Sequence, residues 1–391
     1  MKTKYQLVII GNYDTFKKEV VDTFLVRATQ LGIEKESLEI IYETNFDNDY
    51  RPNCPTVCLY FAKGGTFINI NILEKLINDA VFILPTVSDL NAFSSLVPPQ
   101  LKPINGLRLG DVNDVESVVG RIMEGLSLLR ASRRLFISYR RIESRSIAIQ
   151  LYEYLDQCGF DVFLDTHSIR PGDIFQDELW HRLVDTDVVV LLDTPGFLES
   201  EWTEKELAKA SAMNIGILQL IWPNHKQIPY STLSYPYNLC ASDFEKSDYQ
   251  TKGASLIDLT LKSIASDVES LRARNLASRQ DTLIQEFTSS AKRLNIKAYL
   301  QPEKFITVTK KDGKDLALIP TVGVPQAFTY NQTDELIKRI REHNLPEIFL
   351  LYDHRNIIQK WERHLTWLNL YLPVKSVKIT EIETWMLKSN L

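Results

Sequence analysis

The fold is decided by the stretch VVVLLDTPGFLESEWTEKEL, residues 188–207. Its first five residues are apolar and predict a buried strand, and the sequence DTPG that follows predicts a turn. A helix is then predicted to open with Ser200 as its N-cap. On that helix Trp202 and Glu206 are four residues apart, so an indole and a carboxylate face the same way. Open α/β sheets bind ligands beside the carboxyl ends of their strands, which makes this pair a candidate site.

Length and composition indicate a globular protein of two or three domains. The chain has 391 residues, of which 44% are hydrophobic and 24% are charged, as in ordinary soluble domains. The formal net charge of −5 gives no overall attraction to nucleic acid, although a local basic patch is compatible with that sum. The first residues lack the features of a signal peptide, and no apolar run approaches the roughly 18 residues that span a bilayer. We therefore expect no membrane partner, and nothing in the sequence points directly to nucleic acid.

The cysteines indicate the compartment. There are four, scattered along a long chain, which is typical of proteins from a reducing cytoplasm. Cys54 and Cys58 have the spacing of half a metal site, but no second pair of Cys or His residues at zinc spacing completes it. The sequence therefore predicts a cytoplasmic protein without a bound metal.

Residues 1–130 predict an N-terminal α/β domain. Strands are expected at residues 6–10, 38–42, 57–61 and 80–84, with helices at residues 16–31, 73–78 and 112–129. Strands and helices that alternate in this way favour a mostly parallel sheet. The segment LINDAVFILP, residues 76–85, has the same pattern as LVDTDVVVLL, residues 183–192. Either the domain is a degenerate copy of the next one, or the two look alike because both contain buried strands.

Residues 131–250 predict a second α/β domain, which carries the candidate site. Strands are expected at residues 135–139, 160–165, 188–192 and 215–221, with helices at residues 147–158 and 175–184. Four short motifs follow one another here: FISYRR at residues 136–141, GFDVFLD at 159–165, RPGD at 170–173 and W-x-x-x-E at 202–206. In this order they resemble a Toll/interleukin-1 receptor (TIR) domain, over roughly residues 133–245.

The resemblance implies a fold and a chemistry. The fold would be a central flavodoxin-like parallel-sheet TIR domain, flanked here by two further small α/β domains. The helix glutamate is similar to that of the enzymatic, bacterial immune branch of the family, since the receptor-adaptor branch usually lacks it. Members of that branch cleave NAD into nicotinamide and linear or cyclic ADP-ribose, so NAD is expected as the substrate and no cofactor is expected. Departing nicotinamide leaves positive charge on the ribose, which a nearby carboxylate stabilises.

The resemblance also implies roles for individual residues. Glu206 matches the catalytic carboxylate, and Trp202 is expected to stack on the nicotinamide or ribose side of the pocket. Substrate-binding residues transferred by their position in the motifs are Tyr139, Arg140, Asp165, Arg170 and Pro171. The arginine after the first strand suits a pyrophosphate. The RPGD loop gates the site in this family and makes contacts between protomers, so self-association through TIR domains is expected.

Each of these residues has a structural alternative. Glu206 could simply face water on a helix that follows a buried strand. Arg140 could form an ion pair with Glu143 or Asp165, and Tyr139 could belong to the core. The sequence alone leaves these alternatives open.

The last third of the chain resembles no family. It predicts a helical connector at residues 251–295, broken near residues 273–278, and a C-terminal α/β domain at residues 296–391. Strands are expected there at residues 316–320, 347–352 and 377–379, and helices at residues 333–342 and 356–370. Glu381 and Glu383 near Lys388 are only loosely similar to the acidic cluster of a nuclease.

Three functions are compatible with these patterns. The first is a cytoplasmic NAD-cleaving TIR enzyme, an antiphage immune effector or signal producer, whose flanking domains respond to a partner or trigger. The second is a non-enzymatic TIR scaffold for protein assembly. The third makes the last domain the effector, for example a nuclease. The combination of Trp202 and Glu206 favours the first, because a scaffold has no need of that pair.

Overall fold

The computed structural model describes residues 5–11, 14–52, 54–63, 67, 69–164, 181–197, 215–227, 234–301, 304–339, 347–355, 357–389 and 391, with the backbone alone at residues 14, 15, 141 and 336–339. The chain divides into two compact units. Residues 1–131 form most of the first unit, and residues 132–300, 305–336 and 344–391 form the second. Among the described residues, no helix combines the length and the apolar character that a membrane span requires.

The first unit contains a sheet of five parallel strands in the order β2-β1-β3-β4-β5. Its central strands are almost wholly buried, which is why they are continuous apolar runs rather than alternating ones. The two-residue strand β5 is absent from the expectations above. In chain order the elements are β1 Tyr5–Ile10, α1 Asp14–Gln30, β2 Leu38–Tyr42, α2 Phe46–Asp49, β3 Thr56–Phe61, α3 Ile70–Asn78, β4 Phe82–Val87, α4 Phe93–Leu96, β5 Leu107–Arg108 and α5 Val115–Gly125.

The second unit begins with another sheet of five parallel strands, in the order β10-β9-β8-β6-β7. This is the flavodoxin order, so the prediction of a flavodoxin-like parallel sheet is confirmed. The first unit has the same order, as either a duplication or two similar sheets would produce. The described elements are β6 Arg134–Ser138, α6 Arg141–Gln157, β7 Asp161–Leu164, β8 Val188–Asp193, β9 Gly216–Ile221 and β10 Ser234–Asn238.

The two faces of this sheet pack into different cores. Val188, Val190 and Leu192 point to one face, where they meet α6 and the long helix that follows β10. Val189 and Leu191 point to the other face, in a cluster that includes Phe136, Leu183, Phe197, Ile215 and Ile217. Successive strand residues alternate between faces, so β8 is apolar throughout because both of its faces are covered.

A third sheet, in the order β11-β12-β13-β14-β15, completes the second unit. β12 runs antiparallel to both of its neighbours, whereas β13, β14 and β15 are parallel. β11 and β12 are too short to give a clear hydrophobic period, and the sequence does not predict them. The elements are β11 Ala298–Leu300, β12 Ile306–Thr309, β13 Asp315–Thr321, α8 Ala327–Arg339, β14 Glu347–Tyr352, α9 Gln359–Tyr371, β15 Lys375–Lys378 and α10 Ile382–Lys388.

One helix, α7 Asp258–Arg293, belongs to both sheets of the second unit. Its first half packs Leu261, Ile264 and Val268 into the core of the parallel sheet, and its second half packs Leu283 and Phe287 into the core of the mixed sheet. The expected break near residues 273–278 is wrong, since the helix runs through them without interruption. Alanine and arginine are strong helix formers, and the buried residues of this stretch hold the helix against its neighbours.

Candidate functional site

The candidate site lies at the carboxyl edge of the parallel sheet, where β6 and β8 end side by side. Tyr139 and Arg140 directly follow β6. The Tyr139 side chain is buried and packs in the core between the sheet and its helices, which is the alternative that the sequence left open for it. Arg140 is half-buried and precedes the first residue of α6.

A carboxylate ties the loop after β6 to the turn after β8. Glu143 accepts a hydrogen bond from Arg140 Nη1 at 2.9 Å through Oε1. Its Oε2 accepts a hydrogen bond from the backbone N–H of Gly196 at 3.2 Å. The ion pair named as an alternative for Arg140 is therefore present, and the same carboxylate fixes the turn from which the Trp202 and Glu206 segment begins.

The side-chain ends of Arg140 and Glu143 approach Gly196 closely. A Cβ atom built on Gly196 would lie 1.5 Å from Arg140 Nη1 and 2.4 Å from Glu143 Oε1. No side chain fits at that position unless Arg140 and Glu143 move. The glycine of the DTPG turn thus has a packing role that the turn pattern alone does not predict.

A second polar cluster lies on the β9 side of the same edge. Asp193, the last residue of β8, is fully buried, and its Oδ1 lies 3.1 Å from Nε2 of His225. Its Oδ2 accepts a hydrogen bond from Gln219 Nε2 at 2.7 Å. Gln219 in turn accepts one from Gln227 Nε2 at 3.2 Å. The sequence analysis does not identify these residues, although an Asp that ends an apolar strand is a recognisable signal.

Thr194 lies between the two clusters in the sequence, after Asp193 and before Gly196. It is fully buried, and its hydroxyl has no hydrogen-bond partner among the described residues. Buried hydroxyl groups are usually paired, because losing a hydrogen bond to water costs free energy. A hydroxyl without a partner among the described residues, at the carboxyl edge of a parallel sheet, is a candidate ligand-binding group.

The structure brings together only part of the predicted site. Tyr139 and Arg140 lie at the same edge, next to Glu143. The catalytic and binding residues predicted on the three other motifs lie outside the described residues; these are Asp165, Arg170, Pro171, Trp202 and Glu206.

Acidic residues elsewhere do not assemble a metal or nuclease centre in the described part of the chain. No group of three or more His, Cys, Asp or Glu side chains there could hold a metal ion. Glu381 forms an ion pair with Lys378, and Glu383 forms one with Arg293. Both pairs lie at the surface, so they are explained by solvated charge pairing.

Comparison with known proteins identifies the domain that carries this site. Residues 135–255 match a family model described as TIR domain. A curated protein of Brachypodium distachyon, named probable 2′ cyclic ADP-D-ribose synthase BdTIR, is 35% identical over 74 residues, which are 19% of this chain and 33% of that protein. The chain thus spans about a third of the length of this relative.

A solved structure is also similar in part. It is titled as a metazoan TIR-STING receptor from C. gigas, is 13% identical, and the match covers 65% of this chain and 96% of that chain at a TM-score of 0.23. A TM-score that low supports no conclusion about fold or function. The family match and the flavodoxin-like sheet together establish that residues 135–255 of this chain are a TIR domain.

Proposed function

We propose that the TIR domain cleaves NAD between nicotinamide and ribose, releasing linear or cyclic ADP-ribose. The observation that carries the proposal is the W-x-x-x-E motif, which follows the glycine turn at the end of β8 within a TIR domain. The printed name of the Brachypodium relative, a cyclic ADP-ribose synthase, supports the same chemistry. Two polar groups at this edge also support the proposal: the Arg140 side chain, and the Thr194 hydroxyl, which has no hydrogen-bond partner among the described residues.

The proposed mechanism needs one carboxylate and no bound cofactor. The bond between C1′ of the ribose and the nicotinamide nitrogen breaks, and the electron pair leaves with nicotinamide, which becomes neutral. Glu206 stabilises the positive charge that develops on the ribose. Trp202, one helical turn away, stacks on the nicotinamide or ribose, and Arg140 holds the pyrophosphate. Water or a hydroxyl of the same substrate then takes the place of nicotinamide at C1′.

The test uses the full chain and a matched pair of variants. Glu206→Gln removes the charge with little change in shape, and we expect nicotinamide release to fall by at least about 10²-fold, the usual loss when a group that stabilises transition-state charge is removed. Glu204→Gln makes the same change two residues away, which is on another side of the predicted helix, and should leave the rate unchanged. Products are separated by chromatography and identified by mass. A folded Glu206→Gln protein that keeps the wild-type rate would refute the mechanism.

The biological setting forms part of the proposal. A TIR enzyme of this type would be a cytoplasmic antiphage effector or signal producer that works when TIR domains of several copies associate. The flanking domains would bind a partner or trigger and control that association. Light scattering during NAD turnover, with and without a phage lysate, tests whether activity and assembly rise together.

A scaffold function remains the competing proposal, and the engagement of Arg140 by Glu143 is the observation that favours it. A scaffold assembles without releasing nicotinamide. Assembly with no turnover under any trigger would therefore favour this second function over the first.

A further inference from the structure

The buried Asp193–His225 pair has the form of a proton-transfer site. Neither partner belongs to the residues that the family resemblance assigns. The Asp193 side chain has no exposed surface, whereas the His225 side chain is 14% exposed. The pair therefore opens to solvent through the imidazole ring alone.

The hydrogen bonds of the cluster fix which nitrogen of His225 is available. Gln219 accepts from Gln227 through Oε1, so its amide nitrogen is the atom that donates to Asp193 Oδ2. Asp193 Oδ1 then accepts from Nε2 of the imidazole. In a neutral imidazole that donates through Nε2, the other ring nitrogen, Nδ1, carries the lone pair and can take a proton.

Burying such a polar cluster inside a sheet lowers the free energy of unfolding. Asp193 and Gln219 are both fully buried, on neighbouring central strands that are otherwise apolar. Apolar residues of similar volume at such positions often give equal or greater stability. A buried carboxylate paired with an imidazole at the carboxyl edge of a parallel sheet, where such sheets bind ligands, is a candidate for function.

The cluster also lies on the face of the sheet where the described residues next to 198–214 pack. Side chains alternate along a strand, so Asp193 points to the same face as Val189 and Leu191. Phe197 and Ile215, which flank residues 198–214, pack on that face as well. The described residues on either side of the stretch that contains Glu206 therefore pack on the face that carries Asp193.

We propose that Asp193 and His225 act as the general base of the reaction, an inference that rests on the proposed function. As nicotinamide departs with the electron pair of its bond to C1′, an oxygen lone pair of water or of a substrate hydroxyl forms the new C1′–O bond, so loss of the hydroxyl proton belongs to the step that releases nicotinamide. The proton of that hydroxyl passes to Nδ1 of His225. Asp193 stabilises the imidazolium that results, and the proton then goes to solvent.

The deciding experiment replaces the base and then supplies a nucleophile that has no proton to lose. In full-length His225→Gln we expect kcat for nicotinamide release to fall by about 10²-fold or more, as for loss of a general base, with KM changed by less than about 3-fold because substrate binding is unaltered. Sodium azide should restore nicotinamide release in this variant and give azido-ADP-ribose, since azide is already an anion. The control is His354→Gln, which replaces a partly exposed histidine that bonds Thr380, and it should behave as wild type.

The outcomes separate this inference from the function on which it rests. An active wild type whose His225→Gln variant keeps its rate, or loses it without restoration by azide, refutes the general base and leaves NAD cleavage intact. A wild type that releases no nicotinamide under any trigger refutes both. Asp193→Asn gives a second comparison, because the amide keeps the shape but cannot stabilise the imidazolium; where thermal melts show it folded, its kcat should also fall.

Discussion

The replacement Arg272→Met tests whether α7 is fastened to the TIR sheet by a buried ion pair. Arg272 Nε lies 2.9 Å from Asp187 Oδ2, and neither side chain has exposed surface. Asn275, one turn further along the helix, donates to the backbone oxygen of Asp187 at 2.7 Å. Methionine keeps much of the length of the arginine but removes its charge, so the Asp187 carboxylate stays buried without this cation.

The expected loss of stability in Arg272→Met follows from the burial of this pair. Removing one partner of a buried ion pair costs about 3–5 kcal/mol, because the remaining charge stays out of water without that partner. For a unit of this size, each kcal/mol lowers Tm by about 2–4 °C, so we expect a fall of roughly 6–20 °C. Arg293 lies on the same helix and pairs with Glu383 of α10, with side chains 61% and 45% exposed; this exposed pair is the control. Arg293→Met should cost about 1 kcal/mol or less.

The assay exploits the distribution of tryptophan. The chain has six tryptophans, all beyond residue 179, so intrinsic fluorescence during a thermal melt follows the second unit of the full chain. The double variant Arg272→Met/Asp187→Leu should recover most of the loss, since it removes both charges of the buried pair. A single variant that melts within about 2 °C of wild type, like Arg293→Met, would refute the reasoning.

Two further predictions concern the site and the first unit. Gly196→Ala should displace Arg140 and Glu143, which its Cβ would meet at 1.5 and 2.4 Å. On the proposed function, KM for NAD should then rise about 10-fold, the equivalent of about 1.4 kcal/mol, whereas Gly253→Ala, with no atom within 4 Å of its Cβ, should leave KM unchanged. An unchanged KM in Gly196→Ala would contradict the proposed role of Arg140. Burial, and then its hydrogen bond to Asp79, raises the pKa of Tyr50 above its ordinary value, so the folded state keeps a proton that the unfolded state releases above about pH 10. The Tm of the first unit, measured by circular dichroism, should therefore fall from about pH 9 to 11, and this fall should be smaller in Tyr50→Phe. An equal dependence of Tm on pH in both proteins would contradict the prediction.

The sequence predicts the site only in part because its signals are of two kinds. The motifs that end β6 and follow β8 are local, so the placement of Tyr139 and Arg140 at one edge follows from strand ends alone. The role of Glu143 depends on a bond to Gly196 across 53 residues of chain. Likewise, His225 has no distinguishing neighbours in the sequence, and it becomes notable only because the path of β9 returns it to Asp193.

The sequence by itself determined the α/β class, the parallel TIR sheet and the position of its motifs, because hydrophobic periodicity and turn residues act over a few positions. Only the tertiary structure decided that α7 is unbroken and shared by two sheets, and that β11 and β12 extend the third sheet. It also decided which buried charges meet, as Arg272 and Asp187 do across 85 residues. The physical reason is that burial and pairing depend on which distant segments pack together, and no local pattern contains that information.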